Sequence, residues 1–291
     1  MNRSVALLKL VFLTPAVVGL GVFAFVPIVA SVVLSLFHWD LLSAPTFAGA
    51  DNYAALVQDA SLWSSLVNTL GYVVIGVIAQ IAISLGLALL VDSLRWRWVK
   101  AATRSVFFFP LVLSAASVSI FMKYFFDENF GVVNWFLSVL GVPAVPWFTS
   151  PVGAYALVII VYVWQNVGFT FLLFLGGLAQ IPEDVREAAM LDGAGPWQRF
   201  RSVTMPLLSP TTLTASVMAI ISGFQIFEQP FVLTAGGPGD STQSMVMSIY
   251  EKGFRDLDFG SASAIGVVLL LIILLVTAVQ FRLSRRFVFY Q

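Results

Sequence analysis

Six long apolar runs dominate the chain, at Leu10–Phe37, Leu66–Val91, Thr103–Phe126, Pro151–Leu178, Leu207–Leu233 and Ser261–Phe281, separated by polar connections rich in Pro, Gly, Asp and Asn. Each run supplies the ~20 apolar residues a helix needs to cross a hydrocarbon layer. A membrane strand would be about half as long and would alternate apolar and polar positions. The pattern therefore predicts an all-α polytopic membrane protein with six transmembrane helices, a single domain over 1–291. Arg3 and Lys9 precede the first run as basic residues precede an export signal. Its apolar stretch is about twice the length of a signal core, so it is read as a retained first helix.

Composition reinforces this reading. Of 291 residues, 59% are hydrophobic and 10% charged, against about 25% charged in an ordinary soluble domain. Cysteine is absent, which excludes a disulfide framework, a thiolate nucleophile and a cysteine zinc site. The single histidine, His38 in His38-Trp39-Asp40, cannot build a polyhistidine metal site and reads as an ordinary interfacial residue. A membrane-embedded transferase or protease would need clustered acids or histidines at one face, and no such cluster occurs. No catalytic residue and no metal ligand is assigned.

Net charge is zero, but the charges are segregated. The N-terminus, the segment around Arg95–Arg104, the segment Ala179–Pro206 and the C-terminus hold 12 of the 15 Lys and Arg residues. The other three connections hold Lys123, Lys252 and Arg255 with nine acids. The positive-inside rule makes both termini and the two basic connections cytoplasmic, consistent with an even number of spans. Trp96 and Trp98, alternating with Arg95, Arg97 and Lys100, form a headgroup-level belt rather than a nucleic-acid surface. Phe287, Phe289 and Tyr290, behind Arg282, Arg285 and Arg286, form a second interfacial anchor.

The connection between the fourth and fifth runs differs from the rest. Pro182 suits a first helical position, and Glu183 and Asp184 complement the positive end of the helix dipole. Ala188 and Ala189 are small enough for a partner surface to approach closely, and Gly193 suits a left-handed helix exit. Pro196 can start a second short helix presenting Trp197, Phe200 and Val203 on one face, with Pro206 breaking it where the fifth span begins. Two readings fit this pattern: an elbow that docks a partner, or an amphipathic hairpin on the lipid surface.

Glu187-Ala188-Ala189, then Gly193, then Val203-x-Met205-Pro206 resembles the "EAA" loop of bacterial ABC importer permeases, with matching spacing and conservative departures at Val203 and Met205. Asp192-Gly193-Ala194 is similar to the carbohydrate-uptake branch, the maltose and glycerol-phosphate type. Outside the loop, Asn68-Thr69, Arg104 with Phe109-Pro110 and Ser114, Trp164-Gln165-Asn166-Val167-Gly168-Phe169 through Gly177-Leu178 to Ile181-Pro182, and Leu233-Thr234-x-Gly236-Gly237-Pro238 also resemble that branch. Of the two permeases such systems usually carry, the chain looks more like the first partner. The resemblance implies a multi-pass protein of the bacterial inner membrane. It also implies a second homologous permease as a heterodimeric partner, two ATPase subunits and an extracytoplasmic substrate-binding protein. A coupling loop at about 182–206 would dock an ATPase through Glu187, Ala188, Ala189, Asp192, Gly193 and Pro206.

No phosphate-cradling GxxxxGK[ST] loop is present, since none of Lys9, Lys100, Lys123 and Lys252 follows a glycine. The chain is therefore expected to hold no cofactor, with ATP and Mg on the partner ATPases. For the cargo pathway, Glu228 is the clearest ionisable residue within an apolar run. It falls near the outer surface if the fifth span is one unbroken helix. Trp164, Gln165, Asn166 and Gln225 offer stacking and hydrogen-bonding surface suited to sugars, whereas Phe107–Phe109 read as lipid-facing or core. The alternative is a proton-coupled secondary transporter working through Glu228, in which the EAA elbow would have no role.

Overall fold

The computed structural model describes residues 3–94 and 96–287; Arg95, Phe289 and Tyr290, assigned above to the interfacial belts, lie outside the described residues. The helices run in chain order as α1 (Arg3–Leu20), α2 (Val26–Leu34), α3 (Asp51–Gln58), α4 (Ala60–Gly71), α5 (Val77–Ser93), α6 (Arg97–Val112), α7 (Ala115–Phe125) and α8 (Val132–Val139). They continue as α9 (Pro151–Ala179), α10 (Glu183–Leu191), α11 (Pro196–Arg199), α12 (Met205–Leu207), α13 (Ser209–Phe224), α14 (Met245–Tyr250) and α15 (Phe259–Phe287). Single π-helical turns join α1 to α2, α4 to α5 and α11 to α12 without interrupting the rods. The one exception to an all-helical fold among the described residues is a two-residue strand pair, β1 (Phe37–His38) and β2 (Thr46–Phe47).

Four helices are individually long and apolar enough to cross a membrane: Val11–Leu34, Ala60–Ser93, Pro151–Ala179 and Phe259–Arg285. They coincide with the first, second, fourth and sixth expected spans. The third and fifth, expected as unbroken rods, are each broken; counting each bent pair as one span brings the total to six. In the third, α6 and α7 meet at 101°, because Leu113 and Ser114 both take extended backbone.

The fifth breaks twice. The bend expected at Pro206 falls instead at Leu208, where Pro196–Leu207 meets α13 at 67°. Pro210 has no N–H to offer the carbonyl four residues back, that of Pro206, and the Ser209 hydroxyl bonds it instead at 2.6 Å. The second break leaves Ile226 and Phe227 outside any helix before a helical turn resumes at Glu228. Its cause is Pro230, whose missing N–H would have bonded the Ile226 carbonyl; the Ser244 hydroxyl bonds that carbonyl at 2.7 Å.

The chain forms two compact units. One contains residues 3–60 with 248–271. There β1 and β2 pair antiparallel in the register Phe37↔Phe47 and His38↔Thr46, leaving His38 exposed. The buried Asn52 side chain donates to the Ser35 and Phe37 carbonyls, and the Phe259 amide donates to the Trp39 carbonyl. The span Val11–Leu34 keeps its apolar side chains exposed all round, Phe12 and Phe23 among them, as a helix solvated by lipid tails can.

The other unit contains residues 61–247 with 272–287. Its core is α9, packed against α5 and α6 with Leu157, Val158, Phe171 and Phe174 fully buried. The contact with α6 is close enough that a β-carbon on Gly168 would collide with the Phe107 carbonyl. In the connection between α7 and α9, Asn134 bonds the Val145 backbone and the Trp147 indole. There too Glu128 accepts the Phe148 and Thr149 amides at 2.7 and 2.9 Å. The Leu233–Pro238 segment continues into a loop pinned to the start of the second span: Asn68 donates to the Asp240 and Gln243 carbonyls and Tyr72 to the Thr242 carbonyl.

Candidate functional site

The elbow between α9 and α13 is built from its caps. Pro182 stands at the N-cap, one position earlier than expected, because its extended backbone (ψ 138°) sets the turn into α10. Glu183 and Asp184 fill the first turn. At the other end Gly193 takes φ +76°, its amide reaching Met190 and the Ala194 amide reaching the Ala189 carbonyl. This double closure is a Schellman cap, and it satisfies carbonyls the helix end would otherwise leave open.

Glu187, Ala188, Asp192 and Gly193 are exposed on this elbow, while Ala189 and Pro206 are half-buried. Two large apolar side chains stand out beside them, Leu191 at 89% and Trp197 at 71% exposure. Trp197 contacts Phe200 with ring centres 5.4 Å apart and ring planes tilted by 33°. The two short helices keep a leucine and a tryptophan clear of the rest of the chain, exposed apolar surface of the kind that meets a partner or a lipid headgroup layer.

One residue that the sequence reading missed holds the elbow in place. Arg186 pairs with Asp92 at 2.9 Å, at the end of α5, and donates to the Leu178 carbonyl at 2.7 Å, at the end of α9. The elbow helix is thus fastened to two spans by one guanidinium fork. The only sequence signal was a base set among the acids of α10, whose partner lies 94 positions away.

A second candidate site lies where the broken spans meet α9. A cleft of about 370 Å³ is lined by Leu111, Ala115, Tyr162, Gln165, Asn166 and Met218 and by Ile221, Ser222, Gln225, Ile226, Glu228 and Gln229. It brings together Gln165, Asn166, Gln225 and Glu228 from the expected set. Trp164 lies apart from them, on an apolar groove with Phe107, Phe109 and Ile160. Adjacent helical residues are about 100° apart, so a run of three cannot share one face.

Gln229, which the sequence reading passed over, is 4% exposed and donates to Gln165 Oε1 at 2.9 Å. Gln165 in turn donates to the Leu113 carbonyl at 3.3 Å. One α9 amide therefore connects the break in the third span to the restart of the fifth. Gln80 donates to the Asn166 carbonyl and to Thr170 Oγ1, adding a buried polar tie between α5 and α9.

A family model described as "Binding-protein-dependent transport system inner membrane component" matches residues 80–289. The chain is similar to the sulfoquinovosyl glycerol transport system permease protein SmoG of Agrobacterium fabrum, 34% identical over 284 residues, covering 96% of this chain and 91% of the relative. It is also similar to the trehalose/maltose transport system permease protein MalF of Thermococcus litoralis, 32% identical, covering 96% of this chain and 94% of the relative. Its fold matches a crystal structure of a bacterial ABC transporter involved in the import of the acidic polysaccharide alginate, with a TM-score of 0.83 at 23% identity over 96% of this chain and 95% of that one. The chain belongs to the family of inner-membrane components of binding-protein-dependent transport systems, and is a permease subunit of an ABC importer.

Proposed function

We propose that this permease forms one half of the translocation pathway for a sugar or sugar-like, glycerol-phosphate-type solute, with a second homologous permease forming the other half. Its elbow docks one of two separate ATPase subunits, which carry the ATP and Mg, and an external binding protein delivers the cargo. The observation that carries this reading is the exposed, capped elbow fastened by Arg186 to α5 and α9. Closure of an ATPase pair against Glu187, Ala188, Ala189, Asp192 and Gly193 would displace the elbow, and the fastened spans would follow. ATP biases the inward- and outward-open states only through contacts that differ between them. The pathway is the cleft containing Gln165, Asn166, Gln225 and Glu228. The relatives named for trehalose/maltose and for sulfoquinovosyl glycerol support a saccharide-type cargo.

Both termini and the elbow lie on the cytoplasmic face. The test is co-purification and reconstitution. The chain alone should show no ATP hydrolysis, while the assembled importer should hydrolyse ATP at a rate raised by loaded binding protein. Hydrolysis by the isolated chain, or failure of any ATPase subunit to associate, would defeat the reading.

A further inference from the structure

The connection between α7 and α9 turns its apolar side outward. On α8, Val132, Trp135, Phe136, Val139 and Leu140 recur at helical spacing on one face, each between 50% and 65% exposed. The opposite face packs Val133 and Leu137 against the core and buries Asn134, which is 6% exposed and bonded to the Val145 backbone and the Trp147 indole. A helix facing water does the reverse, keeping its apolar residues in and its polar residues out. Nor does charge solubilise this surface: from Asn129 to Pro182 the chain contains no Asp, Glu, Lys or Arg. Hydrogen bonds fix the depth at which α8 stands. Asn134 ties it to residues 145–147, and Glu128, just before it, holds the Phe148 and Thr149 amides, so α8 sits beside the point where α9 begins. From the other side, the 16 residues of α6 cover about 24 Å of a hydrocarbon layer about 30 Å thick, and α7 leaves α6 at 101°. The α7 helix thus starts near the far edge of that layer and runs along it rather than through it. Its exposed residues are those of such an edge: Ile120, Phe121, Tyr124 and Phe125, with Lys123 long enough to reach headgroups.

We infer that α8 is an interfacial anchor in the outer leaflet of the bilayer, with its Val132–Leu140 face set among the acyl chains. An ordinary interfacial helix needs a charged face to meet water opposite its apolar one. Here the protein itself occupies that opposite side, through Val133, Asn134 and Leu137, which accounts for a lipid-seated helix without charge. Trp135 suits the headgroup boundary, where the amphipathic indole is favoured. The anchor holds the far end of α7, whose near end is the Leu113–Ser114 break beside the cleft. The choice of leaflet follows from the orientation proposed above. The anchoring itself depends on neither that orientation nor the reading of the cleft as a cargo pathway.

The test uses the assembled importer in phosphatidylcholine nanodiscs, with cysteine-free partner subunits. Nitroxide labels are attached one at a time through Trp135→Cys, Phe136→Cys, Val139→Cys and Leu140→Cys, in a chain that has no cysteine of its own. Collision with oxygen, which concentrates in hydrocarbon, is compared with collision with a water-soluble nickel chelate. A label at Ser43, exposed between β1 and β2, supplies the water-facing reference. All four α8 labels should favour oxygen, at depths of about 5–10 Å below the headgroup boundary. Adding loaded binding protein should leave that pattern unchanged. Ready access of the nickel chelate to the four positions would place the face in water and overturn the inference. Little access of either reagent would place the second permease over it, and loss of oxygen access only on adding binding protein would make it that partner's dock; either result overturns the inference. Stimulated ATP hydrolysis, measured on every labelled importer, reports separately on the permease reading.

Discussion

Two residues show how backbone geometry limits what substitution can do. Gly193 holds φ +76° in open space, where a β-carbon would meet nothing within 4 Å. The cost of Gly193→Ala is therefore conformational strain alone, about 1–2 kcal/mol. Gly193→Asp should insert normally, as judged by membrane yield, and lose both ATPase co-purification and uptake as the Glu187–Asp192 surface shifts. Glu128 illustrates a different dependence. The Phe148 amide, with help from Thr149, holds its carboxyl below the usual carboxylate range. A lowered folded value means stability that is complete above the ordinary unfolded pKa and lost as pH falls through the folded one. Protection of the Phe148 and Thr149 amides in hydrogen exchange, taken relative to the unfolded-chain rate at each pH, should thus fall with acidification below the ordinary carboxylate range, and Glu128→Gln should flatten that fall. The left-handed Gly193 was legible in sequence because an EAA segment running into Asp-Gly leaves few other exits from the helix. Glu128 was not, because its partners are backbone amides about 20 positions away.

At the scale of elements, the elbow and the breaks were read with unequal success, for one physical reason. Long apolar stretches reveal that a segment prefers lipid, and hydropathy averaged over ~18–20 residues does not register a bend. The bends depend on distant groups that satisfy the carbonyls each break releases. Gln165 serves Leu113 and Ser244 serves Ile226, at separations of 52 and 18 residues. Prolines at 210 and 230 were visible, but proline alone does not decide between a kink and a stop. Arg186 was equally hidden. With both partners about one-third exposed, its pair with Asp92 contributes only about 0–1 kcal/mol to stability. Its effect should therefore appear in coupling. Arg186→Asp should raise ATP hydrolysed per solute transported, and the double variant Arg186→Asp/Asp92→Arg should restore the ratio at least in part. If the single variant transports at the wild-type ratio, the pair does not guide the elbow.

For the whole molecule, the distribution of bases proposes an orientation across the membrane. The 12-to-3 division of Lys and Arg is a property of the chain, and the exposed positions on either side provide the means to test the orientation. A cysteine at Ser202, on the elbow, should be shielded from an impermeant thiol reagent in intact cells. Cysteines at Ser43 and Ala144, both exposed, should label. Labelling at Ser202 from outside would reverse the orientation and place the elbow where no ATPase could reach it. Beyond orientation, α13 has a consequence of a mechanical kind. Its 16 residues make a straight member about 24 Å long at 1.5 Å per residue, with a joint at Leu208 and another at Gln225–Phe227. Both joints already have their released carbonyls occupied, by Ser209 and by Ser244, so pivoting there need not rupture a helical hydrogen bond. A member jointed at both ends and seated along α9 by buried Leu208 and Ala215 behaves as a guided connecting rod, passing thrust along its axis. Displacement delivered at Leu208 would therefore arrive at the Gln225–Glu228 wall of the cleft nearly undiminished, with the rod unchanged in shape between the two.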